Sequence, residues 1–315
     1  MNGSTHEAAV SATDVERVSV LLTGASGFVG GALLPALAEL GSLRCLVRDA
    51  TRLEEGVRSL AVEADLSDAD SLVPALEGMD EVYYLVHSME PGGEGSFSDR
   101  DRVAAENYAR MAIKAGVKRT IYLGGVGGDD DESEHLASRR EVERVLEDAS
   151  PELVALRASM IVGAGSASFE TLVRIVSRLP VLALPRWRDR RTQPVGIDDV
   201  VACLVKARHV EPGIYELAGP DTLTFEEMTE VIAELLGDKH RSIPLPFSSP
   251  ALEAAAASVV TGEDRDLLEP LMAGLDGDLL VRHNHVQEVF DIEPTPFAEA
   301  AAAAIARMPG GELEA

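Results

Sequence analysis

The first signal of chemistry along the chain is TGASGFVG, in which Gly24, Gly27 and Gly30 stand three residues apart. Glycines at this spacing suit a turn that grips an anion through the main chain. Gly24 can turn sharply off the end of a strand, and Gly27 admits a pyrophosphate with no side chain in between. Gly30 lets the following helix lie close to the strand. The helix that opens near Phe28 adds backbone N–H groups with no partner of their own. Ser26, Phe28 and Val29 complete the candidate phosphate contacts. A buried run, Val18 to Leu22, precedes the motif and a helix-periodic stretch to Leu40 follows it, which is the setting a dinucleotide-binding turn needs.

At the end of the next apolar run, LVRDA, Arg48 and Asp49 are adjacent. A carboxylate at this position takes the ribose hydroxyls of NAD(H), whereas a guanidinium favours the extra phosphate of NADP(H). The reading prefers NADP(H) through Arg48, with Arg52 as a second cation, and leaves NAD(H) open. A surface salt link is the plain alternative for Arg48. Asp65, in EADLSD, is placed to accept from the adenine amino group or to serve as a turn residue, and Leu66 to pack on the ring.

Other residues invite chemistry less strongly. His283 and His285 flank one Asn in HNH, with no cysteine or second pair nearby, so a strand or loop edge outweighs a metal site, and no metal is predicted. Asp129 to Glu132 reads as a solvated loop beside the next helix. PRWRDRRTQP, Pro185 to Pro194, gathers Arg186, Arg188, Arg190 and Arg191 around Trp187; it could hold an acidic substrate group or phosphate, or serve a dimer contact or a salt network. Cys45 and Cys203 each sit in an apolar run and read as small buried hydrophobes.

The elements that must position these groups alternate. Apolar runs at Val18 to Leu22, Leu43 to Val47, Leu60 to Glu63, DEVYYLVHS, Lys118 to Gly125 and LVALRAS read as strands. Helices fall between them, including one capped by Ser67 or Asp68 and a long one capped by Ser98 or Asp99 that stops at Gly116. This predicts a doubly wound α/β fold with a parallel sheet. Residues 1–16 read as a disordered tail and 17–163 as the nucleotide-binding core. Residues 164–315 complete the sheet and form a smaller, mostly helical lobe over the substrate. In that half IYELAG reads as a strand, TFEEMTEVIAELLG as a helix boxed by Thr224 and Glu227, and SSPALEAAAASVV as a helix, with no separate sheet expected.

Over 315 residues, 28 Lys and Arg face 54 Asp and Glu, a formal charge of -26 that argues against nucleic acid or an anionic membrane as partner. No export signal or membrane-span-length apolar run is visible, so a cytoplasmic protein with a small-molecule substrate is expected. Oligomeric state, a homo-oligomer included, is left open.

Taken together, TGASGFVG, the VRD at Arg48, ADLSD, YYLVHSM, AAENYARMAIKAGVKRTIYLGG, LRASMIVGAGSASFE and PVGIDDV resemble the extended and atypical short-chain dehydrogenase/reductase superfamily, in particular its NAD(P)H-binding, NmrA-like branch of epimerase/dehydratase type. The resemblance runs from about Val18 to Gly219. It implies a Rossmann sheet of about seven strands, with Val86, His87 and Ser88 passing the nicotinamide ribose. Asn107 would brace the sheet near the cofactor, and Ala158 and Ser159, with Met160, would lie in a loop closing on the nicotinamide.

One departure bears on catalysis. Such enzymes usually carry Tyr-x-x-x-Lys, the lysine lowering the tyrosine pKa for proton exchange with the substrate. Here the corresponding stretch is HLASR, and strand five ends in Gly124 and Gly125 where a serine is usual. In one reading Arg139 takes the lysine's place and His135 or His87 donates the proton in a hydride-transfer oxidoreductase acting on a small carbonyl or hydroxyl compound. In the other, the helix pair is a surface match and the protein is a cofactor-bound redox sensor or assembly partner without turnover.

Overall fold

The computed structural model describes residues 18–86, 96–127, 134–179, 181–184, 186–237, 241–244 and 277–308, with isolated positions 255, 257, 258 and 262. Strand β1 (Ser19–Thr23) sends Val20 and Leu22 into one layer and Leu21 into the other, the two-residue alternation of a strand buried on both faces. β2 (Ser42–Val47) alternates likewise, Cys45 and Val47 against Leu46. With β3 (Ala61–Glu63), β4 (Glu81–Tyr84), β5 (Arg119–Gly125), β6 (Glu152–Ala158) and β7 (Gly213–Leu217) they form a seven-stranded sheet in the order β7-β6-β5-β4-β1-β2-β3. Every neighbouring pair is parallel.

The longer helices among the described residues are α1 (Phe28–Ala38), α2 (Phe97–Ala115), α3 (Glu134–Glu147), α4 (Ala167–Arg178), α5 (Ile197–Lys206), α6 (Phe225–Leu236) and α7 (Phe297–Arg307). α1 and α5 cover one face of the sheet, through Leu33, Leu37, Val200 and Leu204; α2 and α3 cover the other, through Ala105, Tyr108, Val142 and Leu146. The chain is thus a doubly wound α/β Rossmann-type fold. Both cysteines lie unpaired in the α1–α5 layer, and burial pushes the Cys45 thiol up to about 11 and that of Cys203 to about 12.

A third core makes the smaller lobe, in which α4, α6 and α7 close around Trp187. Helix α6 begins on the predicted box: Thr224 Oγ1 accepts the Glu227 N–H at 3.1 Å and Glu227 Oε2 accepts the Thr224 N–H at 2.7 Å. Contrary to the sequence reading, this half of the chain carries a parallel strand pair besides β7, Val181–Leu184 with Arg241–Pro244. Partners so distant along the chain leave no local pattern to find.

Two helix starts also differ. α2 is capped by Ser96, whose hydroxyl accepts the Asp99 N–H at 3.1 Å, rather than by Ser98 or Asp99. Asp68 does cap the next element, but that element is a tight 3-10 turn, Ala69–Leu72, running into four α-helical residues, Val73–Leu76, closed by the left-handed Gly78. The helix predicted at SSPALEAAAASVV lies mostly outside the described residues.

Candidate cofactor site

Strand order reverses at β1, which has β2 on one side and β4 on the other, and in such sheets ligands lie in the crevice beyond the strand ends at this point. A side-chain clip closes it from below: Thr23, fully buried, donates through Oγ1 to the Tyr83 carbonyl at 3.1 Å and accepts the Leu85 N–H at 3.0 Å. Gly24 then turns off β1 with φ +73, a conformation that favours glycine, and a Cβ there would stand 3.1 Å from the Leu85 carbonyl carbon. The turn is held by Gly27 N–H donating to the Gly24 carbonyl at 3.0 Å. A Cβ on Gly30 would fall 2.1 Å from that same carbonyl oxygen, so α1 approaches the turn at a distance only glycine allows.

Helix α1 has Gly27 as its N-cap, with no side-chain cap and no acidic residue in its first turn. Its leading N–H groups, at Phe28, Val29 and Gly30, are therefore left for an anion, beside the exposed Ser26 and Gly27. The cradle fits a pyrophosphate. Phe28 also lies against the loop after β6: a Cβ on Gly163 would meet its Cζ at 2.8 Å, and Gly165, at φ +92, approaches its ring. Sequence reasoning missed Thr23 and this GAG loop; a threonine closing β1 and two glycines after β6 were the available signals.

At the other end of the crevice, Arg48 is exposed just beyond β2. Asp49 is folded onto its own turn, with Oδ1 accepting both the N–H and the hydroxyl of Thr51 at 2.8 and 2.7 Å. These bonds hold its carboxyl below the usual range. Asp65 serves as a turn residue: its Oδ1 accepts the Ser67 N–H at 2.8 Å, while Ser71 Oγ bridges its N–H and carbonyl, each at 3.0 Å. Leu66 is buried. Asn107, from α2, pins this loop by donating to the Leu66 and Ser67 carbonyls at 2.9 and 3.0 Å, so it braces the loop after β3 rather than a strand.

Toward β4 and β5, the Val86 backbone nitrogen lies 3.4 Å from where a Gly24 Cβ would stand, while His87 and Ser88 lie outside the described residues. His135 falls in the first turn of α3, but its side chain is also outside them. Arg139, one turn on, is half-buried. Its carbonyl accepts the Tyr122 hydroxyl at 3.0 Å, and its Nε is buried with no hydrogen-bond partner among the described residues. Leu136 reaches to 3.0 Å of where a Gly125 Cβ would stand. Ala158 ends β6 beside Gly125 and accepts the Val126 N–H at 3.0 Å. The Ser159 hydroxyl is committed to the lobe, 3.1 Å from Thr192 Oγ1 and 3.4 Å from the Leu279 carbonyl.

None of the five tyrosines is poised as an acid. Tyr83 donates to the Leu204 carbonyl, Tyr108 pairs with Thr120, Tyr122 donates to Arg139, and Tyr215 donates to the Glu211 carbonyl. Tyr84 is buried between the Tyr108 and Tyr122 rings. Burial raises the phenol pKa of all five, that of Tyr122 to about 12.

The remaining motifs have structural work. Trp187 stacks edge-on against Phe225, Arg188 pairs with Asp189 and Glu226, and Arg191 forks onto Asp278. That part of the arginine stretch is a salt network. In HNH, the Asn284 amide accepts the Ala218 N–H and donates to its carbonyl, and His285 Nδ1 accepts the Glu216 N–H at 3.0 Å. His283 pairs with Glu288. The motif thus lines the outer edge of β7. Asp129 to Glu132 lie outside the described residues; among the described ones, no three His, Cys, Asp or Glu are grouped as metal ligands.

A family model described as NAD(P)H-binding matches residues 24–161. The chain is similar to the mitochondrial NADH dehydrogenase [ubiquinone] 1 alpha subcomplex subunit 9 of Arabidopsis thaliana, 26% identical over 78% of this chain and 64% of that protein, so the match spans less than two thirds of it. It is 29% identical to a ceramide reductase of Caulobacter vibrioides, over 79% of each chain. The NADPH-dependent quinone oxidoreductase QOR2 of Escherichia coli, solved with NADPH, shares the fold with a TM-score of 0.72 at 20% identity, over 90% of this chain and 98% of that one. The matching family model is the general NAD(P)H-binding one rather than that of a particular branch.

Proposed function

We propose that this chain, an NAD(P)H-binding Rossmann-fold protein related to reductases of the extended short-chain dehydrogenase/reductase type, moves hydride between NADP(H) and a small carbonyl or hydroxyl compound without a tyrosine acid. The observation that carries the reading is the cradle at the switch point, where the Gly24 turn and the uncapped start of α1 leave bare main chain for a pyrophosphate. When bound, the cofactor supplies or takes up hydride at the nicotinamide ring.

The chain's own residues divide the remaining work. Gly24, Ser26, Gly27, Phe28, Val29 and Gly30 hold the phosphates. Asp65 and Leu66 flank the adenine, and Arg48 meets the 2′-phosphate, which Asp49 leaves to it by turning onto Thr51. Val86, His87 and Ser88 line the nicotinamide ribose, with Ala158 and Ser159 across from them. Arg139 takes the place where a lysine is usual. With every phenol engaged or buried, proton transfer falls to His87 or His135, an imidazole being suited to it near neutral pH. Residues 164–315 complete the sheet and form the lobe that covers the substrate, and a cytoplasmic, NmrA-like assignment belongs to this same reading. No helix among the described residues is long and apolar enough to cross a membrane.

A second reading is that the protein keeps the cofactor without turnover, as a sensor or assembly partner. The absence of any poised tyrosine favours it, as does similarity to a subunit of a mitochondrial NADH dehydrogenase. Parallel titration with NADPH and NADH, followed by a reductase screen over carbonyls, quinones and imines, separates the two. Turnover with loss on His87→Ala or His135→Ala supports the first; tight binding with no turnover supports the second. Replacing Arg48 by Ala should weaken NADPH at least ten-fold more than NADH, about 1.4 kcal/mol of selectivity, and an equal loss removes the case for NADP(H).

A further inference from the structure

We infer that Glu63, the last residue of β3, is a specificity-determining residue that holds down the preference for NADP(H) over NAD(H). The inference rests on the reading that the turn after β2 receives the adenosine ribose. In the sheet register Glu63 lies opposite Val47, and its Oε1 reaches over the strand end to accept the Ala50 N–H at 3.0 Å. Its carboxylate therefore stands inside the turn that begins with Arg48.

The other donors of that turn are taken as well. Thr51 N–H is held by the Asp49 side chain, and Arg52 N–H by the Asp49 carbonyl at 3.2 Å. With three successive N–H groups engaged by protein acceptors, a 2′-phosphate arriving here is recognised by side-chain charge and not by a main-chain nest. That charge is mixed. Arg48 and Arg52 belong to the turn, and Arg58, which donates to the Leu53 carbonyl at 3.3 Å, is close enough to act on Asp49. Asp49 and Glu63 stand among them with the opposite sign.

The two carboxylates differ in what they can give up. Asp49 builds the turn, because it caps Ala50–Arg52. Glu63 arrives from the neighbouring strand, and its amide analogue would still present an oxygen to Ala50 N–H while losing the charge. A unit charge within several ångströms of a phosphate, largely screened by water, changes affinity by about five-fold. NADH, which ends in a hydroxyl at this point, feels little of it.

The test is calorimetric titration of the full chain with NADPH and NADH, comparing wild type, Glu63→Gln, Arg48→Ala and the remote surface control Glu230→Gln. The inference expects Glu63→Gln to tighten NADPH about five-fold, with NADH within two-fold of wild type, the gain shrinking as salt is added and Glu230→Gln changing neither. Equal shifts for both nucleotides, no shift in NADPH, or the same gain from Glu230→Gln would overturn it. If Arg48→Ala spares the NADPH to NADH ratio, the ribose has been misplaced and both readings fall. If Arg48→Ala lowers that ratio while Glu63→Gln leaves it, only this inference falls. Glu63→Ala, which also removes the acceptor for Ala50, should weaken both nucleotides relative to Glu63→Gln.

Discussion

Gly30 shows how far one missing atom reaches. Its absent side chain lets α1 lie against the Gly24 carbonyl, and a methyl group there would overlap main chain that cannot rotate away. Gly30→Ala should therefore lower dinucleotide affinity at least ten-fold and cost about 1–3 kcal/mol of stability, measured by titration and urea unfolding. Unchanged affinity would mean that the phosphates bind elsewhere. The thiols give a second test at this scale. With Cys45 and Cys203 raised by burial, neither should react with a disulfide reagent at about pH 8 until the protein unfolds, and prompt reaction of one thiol would contradict its placement.

The residue scale is also where the sequence was most and least legible. The glycine triplet carried its meaning because a buried strand precedes it and a helix follows, and the structure puts both where the pattern required. Asp65 had two roles open in the sequence, and its 2.8 Å bond to Ser67 N–H gives the turn role a physical basis. What Glu63 and Thr23 touch could not be read, because each meets its partner across strands that only the folded sheet brings together.

Among the elements, α6 states its own start. Its box closes between Thr224 and Glu227, and Thr224→Ala should cost about 1 kcal/mol, seen as a lower urea midpoint with an unchanged slope. A cost near zero would mean that the lobe core, not the cap, fixes the helix end. Between strands the equivalent device is Asp80, which accepts the Ser19 N–H at 3.0 Å and pairs with Lys118 at 2.8 Å, tying the entrances of β1 and β5 to β4. The Lys118 and Ser19 bonds lower its carboxyl pKa. A depressed acid contributes stability above the unfolded value near 4 and loses it as pH falls through the lower folded one. Wild type should accordingly lose more stability than Asp80→Asn between about pH 5 and 3, in urea melts at each pH; parallel acid limbs would refute the tie.

Helices were found where apolar spacing was long and bounded by a cap and a glycine, as in α2, which ends at the left-handed Gly116. They were overstretched where a proline and a tight turn intervened, as between Asp68 and Glu77. The small strand pair of the lobe escaped notice because each four-residue run is ambiguous alone.

At the scale of the whole molecule, two layers and a lobe divide the labour. The sheet and its glycine turn are built from main-chain geometry that any sequence of this pattern reproduces, whereas the loops of the lobe, which the proposed function sets over the substrate, follow no such pattern. This is why the fold and the glycine turn could be read in advance while the reaction could not. The formal charge of -26 bears on the ligand as well, since an anionic cofactor approaches against the average field of the protein. Added salt should therefore speed NADPH association in stopped-flow mixing up to moderate ionic strength; monotonic slowing would show that local arginines outweigh the global charge.

The last strand of the sheet meets solvent behind an amide and an imidazole in place of another backbone. Asn284 imitates a neighbouring strand at Ala218, and His285 takes the amide proton of Glu216. Chains severed ahead of position 277 would present this border bare, and a bare border is a template on which another strand can add in register, so such a fragment should self-associate, read as a rise in sedimentation coefficient with concentration that the whole chain does not show.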